Sequence, residues 1–201
     1  MFVNEIDRTL FETLKQQFQL DEKHFLEGDF LQLPLEGRIG ESFAVIGNFP
    51  YNISTQIVFR ILENREHVPY CVGMFQKEVA ERIAAPPGSK TYGITSVLTQ
   101  AYYTVEYLFT VPEHVFDPPP KVKSGVIRMT RKPYPDLPNE KLFFNVVKAA
   151  FNQRRKTLKN ALKSLSLQPG WEKLPWLDQR AEQLSLEQFT ELTRQIEKLN
   201  A

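Results

Sequence analysis

The segment Val45-Ile46-Gly47-Asn48-Phe49-Pro50-Tyr51-Asn52-Ile53-Ser54 carries the sharpest chemical pattern in the chain. An apolar, strand-like run ends in an amide, an aromatic, a proline and a phenol before a helical pattern begins. In an open α/β sheet ligands bind outside the carboxyl ends of the strands, so Asn48 stands where a reaction would occur. Its side-chain oxygen and a nearby backbone carbonyl together offer two acceptors. That pair suits a conjugated amine such as the exocyclic amine of adenine: accepting both N–H groups draws the nitrogen towards sp³ geometry and frees a lone pair otherwise delocalised into the ring. Pro50 removes a competing donor and stiffens the turn. Tyr51 offers a ring on which an extruded base can stack. An ordinary strand-end turn has the same composition, so the tetrapeptide alone does not decide between the two readings.

Two carboxylates occupy comparable places. Glu5 lies near the end of a strand-like run, Phe2 to Asp7, and Asp29 follows Gly28 near the end of another, His24 to Phe30. Taken singly, either is equally a capping or turn carboxylate. Phe116 precedes three prolines that hold the next segment extended, and by itself it reads equally as an apolar anchor for that loop. Between Lys121 and Lys163 there are twelve Lys and Arg against only Asp136 and Glu140, a local charge of +10 inside a chain whose net charge is +1. Segregated basic charge of this size marks a polyanion-facing surface or, in the plainer reading, a solvated helix face. Cys71, the single cysteine, sits in an apolar run and reads as a buried structural thiol. His24, His67 and His114 are scattered without metal-ligand spacing, so no metal site is expected.

The elements that must position these groups alternate along the first two-thirds of the chain, which predicts an α/β sheet with mostly parallel strands. After Phe2–Asp7, a helix is expected over Arg8–Phe18, with Leu10, Phe11, Leu14 and Phe18 on one face. A strand over Phe43–Asn48 is apolar enough to lie buried in the sheet centre. A helix over Ile53–Glu63, with Ser54 or Thr55 as its cap, a strand over Cys71–Phe75 and a helix through Ile83 follow. Pro86 to Lys90 is a loop, Val97 and Tyr102 lie on a helix, and Thr104–Val111 pairs with Gly125–Thr130. Pro133, Pro135 and Pro138 break regular structure and place a domain boundary between residues 134 and 135. Beyond it two amphipathic stripes, Leu142 to Phe151 and Leu186 to Ile196, predict a small helical, basic domain over residues 135–201.

With 201 residues and 42% hydrophobic composition, one large domain and one small one is the natural division. No run approaches the roughly 20 apolar residues of a membrane span, and the first residues carry no signal pattern. A soluble, cytoplasmic protein with no membrane partner is expected. Nothing marks a coiled coil or an obligate interface, so a monomer is expected.

Several segments, in order, resemble the ribosomal RNA adenine N6-dimethyltransferase family, which is similar to the macrolide-resistance rRNA methylases. They are Glu5-Ile6-Asp7, Gly28-Asp29-Phe30, Gly47 to Thr55, Phe75-Gln76-Lys77-Glu78-Val79, Phe116 to Ser124 and Phe151 to Leu158. The resemblance implies a Rossmann-like methyltransferase sheet with a small C-terminal all-α domain, and S-adenosyl-L-methionine as methyl donor. It implies that Glu5, with Ile6, receives the cofactor ribose hydroxyls, that Asp29 receives the cofactor adenine amine with Phe30 beside that ring, and that Asn48 is the catalytic amide near the methionine end. It further implies that Pro50 and Tyr51 complete the catalytic turn and that Phe116 sandwiches the target base against Tyr51. Lys121, Lys123, Arg154, Arg155, Lys156 and Lys159 are then the cations that hold rRNA phosphates. Phe49 departs from the family's more usual leucine.

The function so implied is N6,N6-dimethylation of adjacent adenines near the 3′ end of small-subunit rRNA, with immature small ribosomal subunits as partner and a role in their assembly. Two rivals stand beside it: a large-subunit rRNA methylase of the macrolide-resistance type, and a non-catalytic RNA-binding assembly module. The family's pattern has a strand and Gly-rich loop ahead of the residue matched by Glu5, and the nine glycines here form no G-x-G. Weak cofactor binding by these 201 residues and a frayed or repaired sheet edge near Phe2–Asp7 are therefore expected.

Overall fold

The computed structural model describes residues 1–35, 37–133 and 137–200. Strands β1 (Val3–Glu5) and β2 (Phe25–Glu27) pair in parallel as a sheet of their own. Helix α1 (Arg8–Gln17) connects them, and Asp7 caps it by accepting the Leu10 N–H at 3.0 Å. Only Phe11 of its expected stripe is buried, edge-on to Phe25 at 6.1 Å, while Leu10 and Phe18 are exposed. Two short strands present too narrow a face to cover the whole stripe.

The second sheet has the order β3-β4-β6-β5, formed by β3 (Ala44–Asn48), β4 (Tyr70–Gln76), β5 (Tyr103–Val111) and β6 (Ser124–Arg131). β3 and β4 are parallel, and β6 runs antiparallel to both β4 and β5. Hence β3, β4 and β5 share one direction, as the alternating pattern predicts, and β6 is inserted against them. Helix α2 (Ser54–Glu63) makes the crossover from β3 to β4, and α3 (Lys77–Ala84) and α4 (Ile94–Tyr102) make that from β4 to β5. Cys71, Phe75, Ile127 and Met129 form the buried face of this sheet, with Ile57, Ile61, Ile83 and Leu98 of the helices in the same core.

β3 is an edge strand here, contrary to the central place its apolar sequence predicts. Its one strand partner among the described residues is β4, and Ile46 is 83% exposed. The other side of β3 borders a cleft whose far wall is β1.

The C-terminal part consists of α5 (Glu140–Asn152), the short α6 (Leu158–Ala161) and α7 (Leu186–Asn200), joined by 3₁₀ turns. Asn139 caps α5 through the Leu142 N–H at 3.0 Å. Both apolar stripes are buried at Phe143, Val146, Val147, Ala150, Phe189, Leu192 and Ile196. They join the same core as the sheet helices, and Phe151 lies 6.0 Å from the Tyr92 ring and 5.8 Å from Phe189. The boundary expected between residues 134 and 135 lies outside the described residues. Among the described residues, no helix is long and apolar enough to cross a membrane.

Candidate active site

A cleft of about 630 Å³ opens between β1 and β3, and Glu5, Ile6, Asp29, Phe30, Asn48 and Pro50 all line it. Residues predicted from separate segments of the chain therefore meet at one place. Phe2, Leu26, Leu33, Phe43, Val45, Ile46 and Phe49 make most of the remaining lining apolar.

One wall is built by two local turns. The Glu5 carboxylate bends back so that Oε1 accepts the N–H groups of Ile6 at 2.8 Å and Asp7 at 2.9 Å. Oε2 is left as an acceptor. Asp29 starts a tight turn after Gly28, which has φ +132°, a conformation that favours glycine. Its Oδ1 accepts the Leu31 N–H at 2.9 Å and its Oδ2 the Gln32 side-chain amide at 3.1 Å. The turn role of Asp29 is thus real, and each carboxylate oxygen still has a second lone pair for a ligand donor. Asn4, which the sequence does not single out, clamps the two turns: its Nδ2 donates to Leu26 O at 2.8 Å and Gly28 O at 2.9 Å. Phe30 packs against both the main core and the small cluster under β1 and β2.

The opposite wall is the end of β3. Asn48 is exposed, and its side chain has no hydrogen-bond partner among the described residues. Its position, by contrast, is held on several sides. The Phe49 N–H continues the ladder to Met74 O at 3.1 Å, and the buried Phe49 ring folds back over Gly47 and its cross-strand partner Gly73. A Cβ on Gly73 would lie 2.4 Å from Phe49 Cε2 and 2.6 Å from Phe75 Cε2, and one on Gly47 would lie 2.8 Å from Phe49 Cε1. Both glycines are the space the ring occupies. A glycine inside a strand pattern signals such a close approach, and Gly73 carries that signal in the sequence.

Ser54 does something other than cap α2. Its hydroxyl donates to Pro50 O at 3.2 Å and Tyr51 O at 3.0 Å, closing the turn upon itself, while Ile53 takes the N-cap position without a side-chain bond. The Tyr51 phenol is hydrogen-bonded to the hydroxyl of Ser124, at the start of β6. Tyr51 and Phe116 do not line the cleft; Phe116 is half-buried just after a 3₁₀ turn over Glu113–Val115.

The basic stretch divides in two. Arg128 forms a bidentate pair with Glu106 at 2.8 and 2.6 Å, which holds the Glu106 carboxyl below its ordinary range. Arg131 donates to the carbonyls of Arg65 and Glu66, Lys132 to Gln100 O at 2.7 Å, and Arg154 to the carbonyls of Lys90 and Tyr92. These four cations fasten parts of the fold together. Lys121, Lys123, Arg155, Lys156 and Lys159 are exposed with no side-chain partner among the described residues. Arg154, expected with them at an RNA surface, instead turns its guanidinium to the end of the Pro86–Lys90 loop. Cys71 is buried and free, its thiol pushed up to about 12 by burial, which makes it inert as a nucleophile. No group of His, Cys, Asp and Glu among the described residues is arranged to hold a metal ion.

This architecture is that of a Rossmann-like methyltransferase. The fold matches the crystal structure of a dimethyladenosine transferase from Plasmodium falciparum with a TM-score of 0.81, covering 98% of this chain and 82% of that one at 23% identity. It matches the 23S rRNA methyltransferase ErmE with a TM-score of 0.72, covering 98% and 81% at 22% identity. Sequence carries the assignment further than fold. The family model for ribosomal RNA adenine dimethylase matches residues 1–198, and the chain belongs to that family. Curated relatives include the ribosomal RNA small subunit methyltransferase A of Cytophaga hutchinsonii, 58% identical over 96% of this chain and 76% of the relative. The protein of the same name from Phocaeicola vulgatus is 54% identical over 97% of this chain and 71% of the relative.

Proposed function

We propose that the protein transfers methyl groups from S-adenosyl-L-methionine to N6 of adjacent adenines near the 3′ end of small-subunit rRNA, forming N6,N6-dimethyladenosine during subunit assembly. The observation that carries this reading is the unpartnered Asn48 amide, held at the end of β3 beside the same cleft that presents Glu5 and Asp29. Relatives named for small-subunit methylation, at 51–58% identity, support it over the large-subunit alternative.

The residues of the cleft fit the donor. Glu5 Oε2 is an acceptor for a ribose hydroxyl, Asp29 is an acceptor for an aromatic amine, and Phe30 supplies an apolar wall for a purine ring. Bound there, S-adenosyl-L-methionine supplies an electrophilic methyl group. Asn48 Oδ1 would accept one N–H of the target amine and a backbone carbonyl of the turn the other, which would free the nitrogen lone pair for attack. Pro50 leaves that turn without a competing N–H. Tyr51 holds the extruded base by its face, with Phe116 as the second aromatic. Lys121, Lys123, Arg155, Lys156 and Lys159 bind phosphates and fix the RNA's register without reading bases.

We place residues 1 to about 134 as the methyltransferase domain and the remainder as the basic rRNA-binding domain. Transfer of labelled methyl from S-adenosyl-L-methionine to immature small subunits, followed by nucleoside analysis, tests the proposal. Dimethyladenosine at neighbouring positions is the expected product. Retained RNA binding with no transfer would support the assembly-module reading instead.

A further inference from the structure

Ser124 belongs to no predicted site, yet it is fully buried and its hydroxyl meets the phenol of Tyr51, 73 residues away in sequence. The two partners are unequally fixed. Ser124 lies in β6 with neighbours on both sides, opposite Gln76 of β4 and Val111 of β5, and the preceding carbonyl, that of Lys123, accepts the Lys77 N–H at 2.9 Å. Tyr51 sits on a single 3₁₀ turn, half-buried, with its backbone carbonyl tied to Ser54. A ring on so short a turn retains freedom about its side-chain torsions unless its far end is held. Ser124 supplies that hold from a strand paired on both sides. It also ends the segment that carries Phe116, so one residue meets both chain segments assigned to the target base.

We propose that Ser124 is a positioning residue for methyl transfer: through its bond to the Tyr51 phenol it sets the tilt of the ring against which the target adenine lies. The inference rests on the reading of Tyr51 as the base-stacking residue. Displacing a reacting group by a fraction of an ångström slows chemistry without abolishing binding, so the consequence falls on kcat and on the second methylation. After the first transfer, the monomethylated amine must present its remaining N–H in a more crowded site, and a loosely held ring lets it escape.

The test compares Ser124→Ala, Tyr51→Phe and the double variant in the full chain, with small-subunit rRNA particles and S-adenosyl-L-methionine. The double variant removes both hydroxyls and leaves no orphaned polar group, so it keeps the experiment valid even if a single variant folds poorly. Each single variant is expected to lower kcat by roughly tenfold with KM for RNA within about twofold. The double variant should be no slower than either single one, because the same bond is absent from all three. The fraction of product released as monomethyladenosine should rise several-fold, a ratio that does not depend on how much of the protein is folded. Wild-type kcat and product ratio in the double variant overturn the proposal, and so do single effects that multiply in it. Tyr51→Ala separates this failure from failure of the stacking reading: a slow Tyr51→Ala beside a wild-type double variant removes only the role of Ser124, whereas a fully active Tyr51→Ala removes both.

Discussion

The two walls of the cleft are held to different standards. The β3 wall, which carries Asn48, is fixed by a ladder bond to Met74, by the Phe49 ring seated over Gly47 and Gly73, by the Ser54 hydroxyl and by the Tyr51–Ser124 pair. The β1 wall rests on a two-stranded sheet over the small cluster of Leu26, Leu33 and Leu35, and its carboxylates are shaped by turns of their own backbone. Chemistry at an amine requires an acceptor placed to a fraction of an ångström, whereas receiving a ribose or a purine amine requires little more than a free lone pair at the right height. If the proposed roles hold, the wall that must place its acceptor most closely is the one with more tertiary contacts.

The sharpest way to break this comparison is Asn48→Ala. Methyl transfer should fall by about 10² to 10³, with RNA affinity and the unfolding midpoint almost unchanged, because the side chain is exposed and unpartnered in the fold. A rate within about threefold of wild type would remove Asn48 from the chemistry. Next in size is Gly73→Ala, which forces a methyl group into the space of two rings and should cost about 1–3 kcal/mol in urea unfolding while also slowing transfer. If stability is unchanged, the Phe49 seat does not hold the turn.

Asn4→Ala probes the lighter wall. Removing two hydrogen bonds, about 1 kcal/mol each, should loosen the Gly28 turn and weaken S-adenosyl-L-methionine binding in calorimetric titration, with kcat at saturation preserved. A kcat defect at saturating donor would mean that the two walls are not separable. Replacing Arg155, Lys156 and Lys159 by alanine should lower the slope of log RNA affinity against log salt by roughly 0.7 for each phosphate left without its cation. Arg154→Ala should leave that slope nearly intact while mobilising the Pro86–Lys90 loop. Equal slope changes for Arg154 and its neighbours would return it to the RNA surface.

The smallest effect concerns Cys71. Burial raises its thiol from an ordinary 9.0 to about 12, so folding favours the protonated form. Its contribution to stability is fully present below pH 9 and is lost as pH rises towards 12. The native thiol should resist alkylation at about pH 8 and react only on unfolding. Rapid native-state labelling would contradict its burial.

Much of this was legible in the sequence. Glu5, Asp29 and Asn48 could be read as cleft residues because each falls at the carboxyl end of a strand, a place that local periodicity alone locates. The helical stripes around Phe143 and Phe189 were legible for the same reason. What periodicity could not supply was how much of an apolar face finds a partner, so the α1 stripe reads as buried although only Phe11 is. Nor does charge composition distinguish Arg154, bound to two carbonyls, from Arg155 beside it. The Tyr51–Ser124 bond and the seat of Phe49 over Gly73 join residues far apart in the chain, and a one-dimensional pattern holds no information on which distant groups share a point in space. Residue type and local order therefore determined which chemical groups this protein offers, and only the packing of β3, β4 and β6 decided which of them are held in place.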